Sequence, residues 1–188
     1  MDSNIEQLWG ASGVVGLGRT PWSLVGQMNA TAFSYCLAPH GAAGKKSALL
    51  LGASAKLAGG KSAATTPLVN TSDDSSDYMI HLEGIKFGDV IIATPPNGSV
   101  VLVDTILGVS FLVDAAFQAI KKAGAAALTV PPSKYMYDAG NGTVCLAMLK
   151  STTELSILGR LQQENVHFLF DLEKETLSFE PADCSSLY

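Results

Sequence analysis

Hydrophobic and polar positions along this chain mostly follow a period of two, in short runs separated by glycine, proline and polar clusters. Residues 32–37, Ala-Phe-Ser-Tyr-Cys-Leu, alternate and predict a half-buried strand, and Ala48–Leu51 predicts a short buried strand stopped by Gly52. Residues 78–93 predict a hairpin turning at Phe87-Gly88-Asp89. Val100–Val103 is a continuous apolar run that meets Asp104 and Thr105, after which the apolar pattern resumes to Leu112. Residues 143–149 predict a further strand, and Val166–Asp171 with residues 176–179 predict a hairpin around Glu173-Lys174. Residues 12–19 interleave small apolar residues with glycines, which predicts a strand running into a tight loop. Residues 156–159, Ser-Ile-Leu-Gly, are another apolar pair stopped by glycine.

Helical spacing is rarer. Residues 20–28 predict a short helix with Thr20 as N-cap and Pro21 at its first position. Residues 113–123 predict a second, with Ala116, Phe117, Ile120 and Ala123 on one face, and residues 160–165 a short polar third. Residues 71–77 read as a solvated loop, and Val130-Pro131-Pro132 as an extended connector. The fold class is therefore mainly β with two or three short helices.

Composition narrows this further. The chain has 188 residues, 47% hydrophobic and only 15% charged, which suits one well-buried domain, or two small ones, rather than a disordered chain. Net charge is −5, and the lysines form pairs (Lys45-Lys46, Lys121-Lys122) rather than a patch, so nucleic acid is excluded as a partner. No apolar run approaches the ~18 residues a membrane helix needs, so no membrane association is expected. Residues 1–7 lack the basic and apolar regions of a signal peptide. Against that, N-x-S/T sequons at Asn29, Asn70, Asn97 and Asn141 point to a secretory history. The compartment stays open between these signals.

Chemistry is sparse. The three cysteines, Cys36, Cys145 and Cys184, are too far apart for metal or C-x-x-C spacing. Cys145 reads as a buried core thiol. His40, His81 and His167 form no H-E-x-x-H, and the last two read as half-exposed sheet histidines. Gly108-Val109-Ser110-Phe111-Leu112 lacks the second glycine of a nucleophile elbow. Residues 13–18 lack the spacing of a dinucleotide loop, and no metal or cofactor is expected. What is left is Asp104, a lone acid in an apolar run, where an unpaired buried charge would be costly. It is either a loop-tip residue with a role or a solvated turn residue between strands.

Several segments in order resemble the plant branch of the pepsin-like aspartic proteases, the nepenthesin-like and xylanase-inhibitor-like group. They are residues 13–19 (GVVGLGR), 33–37 (FSYCL), 66–69 (TPLV), 114–117 (DAAF), 144–148 (VCLAM), 156–159 (SILG), 162–166 (QQENV) and 179–184 (FEPADC). The resemblance implies a two-lobed β fold with a cleft, each lobe giving one aspartate in a hydrophobic-hydrophobic-Asp-Thr/Ser-Gly turn backed by a hydrophobic-hydrophobic-Gly loop. Two carboxylates held close share one proton, and the pair activates a water against a peptide carbonyl. On this pattern Asp104-Thr105 corresponds to the second catalytic turn, Ile157-Leu158-Gly159 to its backing loop, and Val14-Val15-Gly16 to the closing loop of the first lobe.

The departures from that pattern shape the expected function. The first catalytic turn is expected to lie outside this sequence, so residues 1–30 read as a remnant of the first lobe and residues 31–188 as a C-terminal lobe shortened near 123–130. Ile106 stands where the pattern has glycine, and Leu107 where it has a hydroxyl residue. A branched side chain at 106 is expected to obstruct the partner loop and strain the turn by about 1–3 kcal/mol. Cys36 and Cys184 match a pair that resembles the family's bridge, and the shortening leaves Cys145 free. The resemblance implies a polypeptide substrate or protein partner, with a separate first-lobe chain as one candidate, and a secreted, apoplastic or vacuolar family setting. Three expectations follow: an aspartic endopeptidase completed by a second chain, a non-catalytic binding or inhibitor-like member, or a truncated product without activity that exposes apolar sheet edges.

Overall fold

The computed structural model of the chain describes residues 13–42, 44–59, 62–70, 76–87, 90–93, 100–124 and 136–187. The first regular element is a single helical turn, α1 (Leu24–Gln27), whose N-cap is Ser23, with Ser23 Oγ accepting the Gly26 amide at 3.0 Å. The helix predicted from Thr20 is thus shorter. Thr20 and Pro21 instead form a turn closed by Ser23 N donating to Thr20 O, because the serine hydroxyl offers the better cap for the amides that follow. No strand forms over residues 13–19.

The strands then run β1 (Ala32–Cys36), β2 (Ala48–Leu51), β3 (Ala64–Val69), β4 (Met79–His81), β5 (Gly84–Phe87), β6 (Val90–Ala93), β7 (Val100–Val103) and β8 (Ser110–Leu112). Helix α2 (Asp114–Gly124) follows, then β9 (Met136–Gly140), β10 (Thr143–Leu146), β11 (Met148–Lys150), β12 (Ser156–Leu158), helix α3 (Arg160–Gln163), β13 (Val166–Asp171) and β14 (Thr176–Pro181). Ten strands make one sheet in the order β11-β8-β12-β7-β4-β3-β14-β13-β1-β2, and β5 with β6 and β9 with β10 make two ribbons. The mainly β class holds.

Several sequence expectations need correction. The predicted 78–93 hairpin is two units, since β4 pairs with β3 and β7 while β5 and β6 form the hairpin. Its Gly88-Asp89 turn lies outside the described residues. Residues 143–149 break at Ala147, so that β10 joins the β9 ribbon and β11 joins β8 in the main sheet. Cys145 is consequently half-buried on a ribbon rather than a core thiol. Strand β2 is the sheet's edge and leaves Leu49 exposed, so it is not buried. The connector at 130–132, the sequon at Asn97 and most of the shortened 123–130 segment lie outside the described residues.

The core sits where period-two alternation puts aromatic residues from three strands on one face. Phe33 and Tyr35 of β1 face Phe168 and Phe170 of β13, with Leu177 and Phe179 of β14 beside them. Phe33 stacks on Phe170 with centroids 4.6 Å apart, and Tyr78 packs edge-on to Phe33 at 5.3 Å. A smaller cluster forms where Ala116 and Ile120 of α2 meet Leu112 and Val113, as the helical spacing predicts. The opposite face of β1, β13 and β14 carries Ser34, Cys36, His167 and Glu180, all buried. His167 is therefore enclosed rather than half-exposed, because that face too is covered.

Cys36 is bonded to Cys184, closing a loop of sequence separation 148. A cross-link over so long a loop mainly removes freedom from the unfolded chain. Reduction, or Cys36→Ser with Cys184→Ser, is expected to lower unfolding free energy by about 3–5 kcal/mol, read as a lower urea midpoint against the oxidised chain.

Candidate functional site

The turn after β7 is built by an interposed strand. Strand β12 pairs in parallel with β7, Ser156 to Val101 and Leu158 to Val103, and also contacts β8 through Ile157 and Phe111. Strands β7 and β8, adjacent in sequence, are thus separated in the sheet by β12. Residues 104–109 must arch over the end of β12, and this brings backbones together at Gly159. A Cβ there would stand 2.2 Å from Val109 O and 2.9 Å from Ser110 N, so only glycine fits.

Hydrogen bonds fix the arch on both sides. Asp104 N donates to Leu158 O at 3.1 Å, and Arg160 N and Leu161 N donate to Leu107 O and Gly108 O at 2.7 and 3.1 Å. Gly159 N donates to Ser110 Oγ at 2.9 Å, and that hydroxyl donates to Gln162 Oε1 at 2.5 Å. Inside the turn, Asp104 Oδ1 accepts from Ile106 N and Leu107 N, both at 2.7 Å. The carboxylate therefore caps its own turn, as aspartate commonly does.

Gln163 completes the assembly; the sequence places it in a polar helix and in the QQENV segment of the resemblance, without a role. It is wholly buried. Its Nε2 donates to Asp104 O at 2.7 Å and to Leu158 O at 2.8 Å, while Oε1 accepts from Tyr35 OH at 2.5 Å. Both donors and the acceptor of the amide are used. Burial first, and the negative charge of Asp104 second, hold the Tyr35 phenol far above its ordinary range, so it remains a donor. Its polar neighbours Gln162 and Glu164 gave no sign of this burial, which follows from the tertiary packing, where a buried amide needs partners.

Two of the predicted loops meet. Val14, Val15 and Gly16 line one cavity of about 230 Å³ together with Asp104, Thr105 and Ile106. Its floor is aromatic, with Phe33, Tyr35, Tyr78 and Phe170, and Asp77 also lines it. Ile157, Leu158 and Gly159 lie outside this lining and hold the turn through β12. The N-terminal wall is tied down by Tyr78 OH donating to Leu17 O at 2.8 Å and Arg19 N donating to Ser76 O at 3.0 Å. The Arg19 guanidinium lies 5.6 Å over the Tyr78 ring, donates to Asn70 Oδ1 at 2.7 Å and pairs with Glu175. Burial pushes the Tyr78 phenol up to about 12, leaving its bond to Leu17 intact at neutral pH.

Ile106 is not among the residues with positive φ and is 60% exposed, so the backbone of this chain does not demand glycine there; the obstruction expected at 106 concerns an approaching partner loop. Val14 and Val15 are 58% and 62% exposed, giving the cavity an apolar rim. The other predicted positions lie apart from this site. Cys36–Cys184 is on the far face of β1, Asn29 and Asn141 are exposed at turns with φ of 47° and 55°, and Asn70 is held by Arg19. Among the described residues no cluster of histidine, cysteine or carboxylate side chains could hold a metal ion, and no helix is long and apolar enough to cross a membrane.

Residues 2–53 match the family model described as xylanase inhibitor N-terminal, and residues 121–181 the one described as xylanase inhibitor C-terminal. Aspartic proteinase nepenthesin-1 of Nepenthes gracilis is 27% identical, over 93% of this chain and 51% of its own length. Protein ASPARTIC PROTEASE IN GUARD CELL 2 of Arabidopsis thaliana is 28% identical, over 93% of this chain and 47% of its own. The chain thus spans about half the length of these curated relatives. Among solved structures, basic 7S globulin from soybean aligns with a TM-score of 0.73 at 19% identity, covering 95% of this chain and 61% of that one, which establishes the fold.

Gln163→Leu keeps the volume but strands the Tyr35 hydroxyl and the Asp104 carbonyl, while Leu158 O keeps its bond from Asp104 N. It is expected to cost about 2–4 kcal/mol, measured by urea denaturation. Gly159→Ala forces the arch away from β12 and is expected to cost about 1–3 kcal/mol in the same assay.

Proposed function

We propose that this chain, which belongs to the plant family of pepsin-like aspartic proteases and xylanase-inhibitor-like proteins, binds a polypeptide at its Asp104 face and does not hydrolyse peptide bonds by itself. The observation that carries this reading is the cavity, with its aromatic floor and a rim of exposed Val14, Val15 and Ile106. Exposed apolar surface gathered around a concave floor suits a protein contact. Proteolysis of the pepsin type needs two carboxylates sharing a proton, and this sequence carries one turn of the required kind.

The same face supports a second reading. A polypeptide carrying the first catalytic turn, whether part of a longer protein or a separate chain, would bring its carboxylate to the Asp104 side of the cavity. Here Ile106 weighs against catalysis, because its exposed branched side chain stands where the partner turn would need to approach. The name of the family models, xylanase inhibitor, favours a member that keeps the fold and recognises other proteins.

Incubation with an unfolded protein substrate from pH 3 to pH 7 is expected to give no cleavage above that of Asp104→Asn. Pepstatin-sensitive cleavage abolished by Asp104→Asn would overturn the non-catalytic reading. Binding through the rim predicts that Ile106→Asp weakens capture of a bound polypeptide roughly tenfold or more, the scale of one well-buried contact, without moving the melting temperature.

A further inference from the structure

The polar face of β1, β13 and β14 places Cys36, His167 and Glu180 side by side across the three strands. His167 is 1% exposed and Glu180 2% exposed. Glu180 Oε1 accepts the Ala58 amide at 2.6 Å, and Cys36 is locked into its bond with Cys184. Both ring nitrogens of His167 are buried without a hydrogen-bond partner among the described residues. An imidazolium there would bring a full charge and two donors to a site that holds no acceptor for them among the described residues.

Among the described residues, Glu180 is the ionisable group whose charge acts on the ring. Strand β14 presents Glu180, whose negative charge favours a protonated ring. Strand β1 presents Cys36, which is in the disulfide, and the C-terminal turn contributes Cys184 from the same bond. Asp183 beside it is fully exposed and held by Ser185 and Ser186. Burial outweighs the Glu180 attraction and lowers the ring's proton affinity from its ordinary 6.5.

We propose that His167 makes this fold acid-labile, so that proton uptake at its ring opens the β1–β13–β14 unit and releases the Asp104 face in mildly acidic surroundings. The direction follows from linkage. The unfolded ring titrates near 6.5 and the folded ring lower. Between those two values the unfolded state binds more protons, so stability is full above 6.5, falls as pH drops below it, and levels off beneath the folded value. Carboxylates held down by partners, Asp114 by Lys150 and Asp171 by Lys174, lose their contribution only below about pH 4, a separate window. The Tyr35–Gln163–Asp104 clamp begins on β1, so opening this unit removes the support of the turn.

The test is urea denaturation of the oxidised full chain at pH 7.5 and pH 5.0. The wild-type midpoint is expected to fall on acidification and to recover on return to pH 7.5, and His167→Phe should remove at least half of that fall. A variant that keeps the whole fall overturns the proposal. Should His167→Phe not fold, the ring proton signals of the wild type decide. The proposal requires the His167 ring in the intact fold to take up its proton at a lower pH than an exposed histidine does, and a ring that titrates at the ordinary 6.5 or above inside the intact fold overturns it. Neither result depends on what binds at Asp104.

Discussion

The interposed position of β12 is the constraint from which the rest of the site follows. A strand running between β7 and β8 forces the segment joining them to arch over its end. That arch has no room for a side chain at 159, and its own carbonyls must find donors. They find them in the first amides of α3, where Arg160 and Leu161 donate to Leu107 and Gly108. Helix termini carry such unused donors, so one short helix both ends β12 and satisfies the turn. The Asp104 turn is therefore a product of strand order before it is a product of its own residues.

The aromatic core is coupled to that turn through one amide. Tyr35 belongs to the stack of Phe168 and Phe170 by its ring and to Gln163 by its hydroxyl. Gln163 in turn holds the carbonyls of Asp104 and Leu158. Burial that would be costly for a lone phenol or a lone glutamine is offset because each satisfies the other. On the reverse face of the same strands the equivalent accounting is incomplete, since His167 and Ser34 keep polar atoms without a partner among the described residues. Two faces of one three-stranded unit thus differ in robustness: the aromatic face is fully satisfied, and the polar face depends on the disulfide and on a neutral imidazole.

Much of the fold was legible where one strand's pattern is decided by its own burial. The alternation in residues 32–37, the hairpin of residues 166–171 and 176–179 and the apolar face of α2 all depend on local periodicity, and they formed as expected. Pairing between distant strands was not legible in the same way. Residues 78–93 look like one hairpin because nothing local tells that Met79–His81 will pair with β3 and β7. Residues 143–149 look like one strand because the break at Ala147 serves two different sheets. His167 was misplaced for a related reason: alternation fixes which face a residue occupies, but not whether a second layer covers that face. At the candidate site, the Val14-Val15-Gly16 loop and the Asp104 turn were legible through family resemblance, whereas Tyr35 and Gln163 lie in segments that carry the resemblance but received no role, because they act through the core.

Ile106 shows how such a turn can survive a change of use. Its backbone amide is held by Asp104 Oδ1, and its φ does not lie in the left-handed region that would demand glycine. Within this chain the side chain is free to be large, because it stands 60% exposed at the rim of the cavity. Any cost of the branched residue falls on whatever approaches the face, not on the fold that presents it. The hydrogen-bonded frame of Asp104 is set from behind by β12, Gln163 and α3, so the frame does not depend on the small residue that close approach of a second turn would require. Retention of the carboxylate is then explained by capping alone, through its bonds to the amides of residues 106 and 107. An aspartate in this geometry is evidence of the turn's architecture, and catalysis needs the additional fact of a second carboxylate within reach.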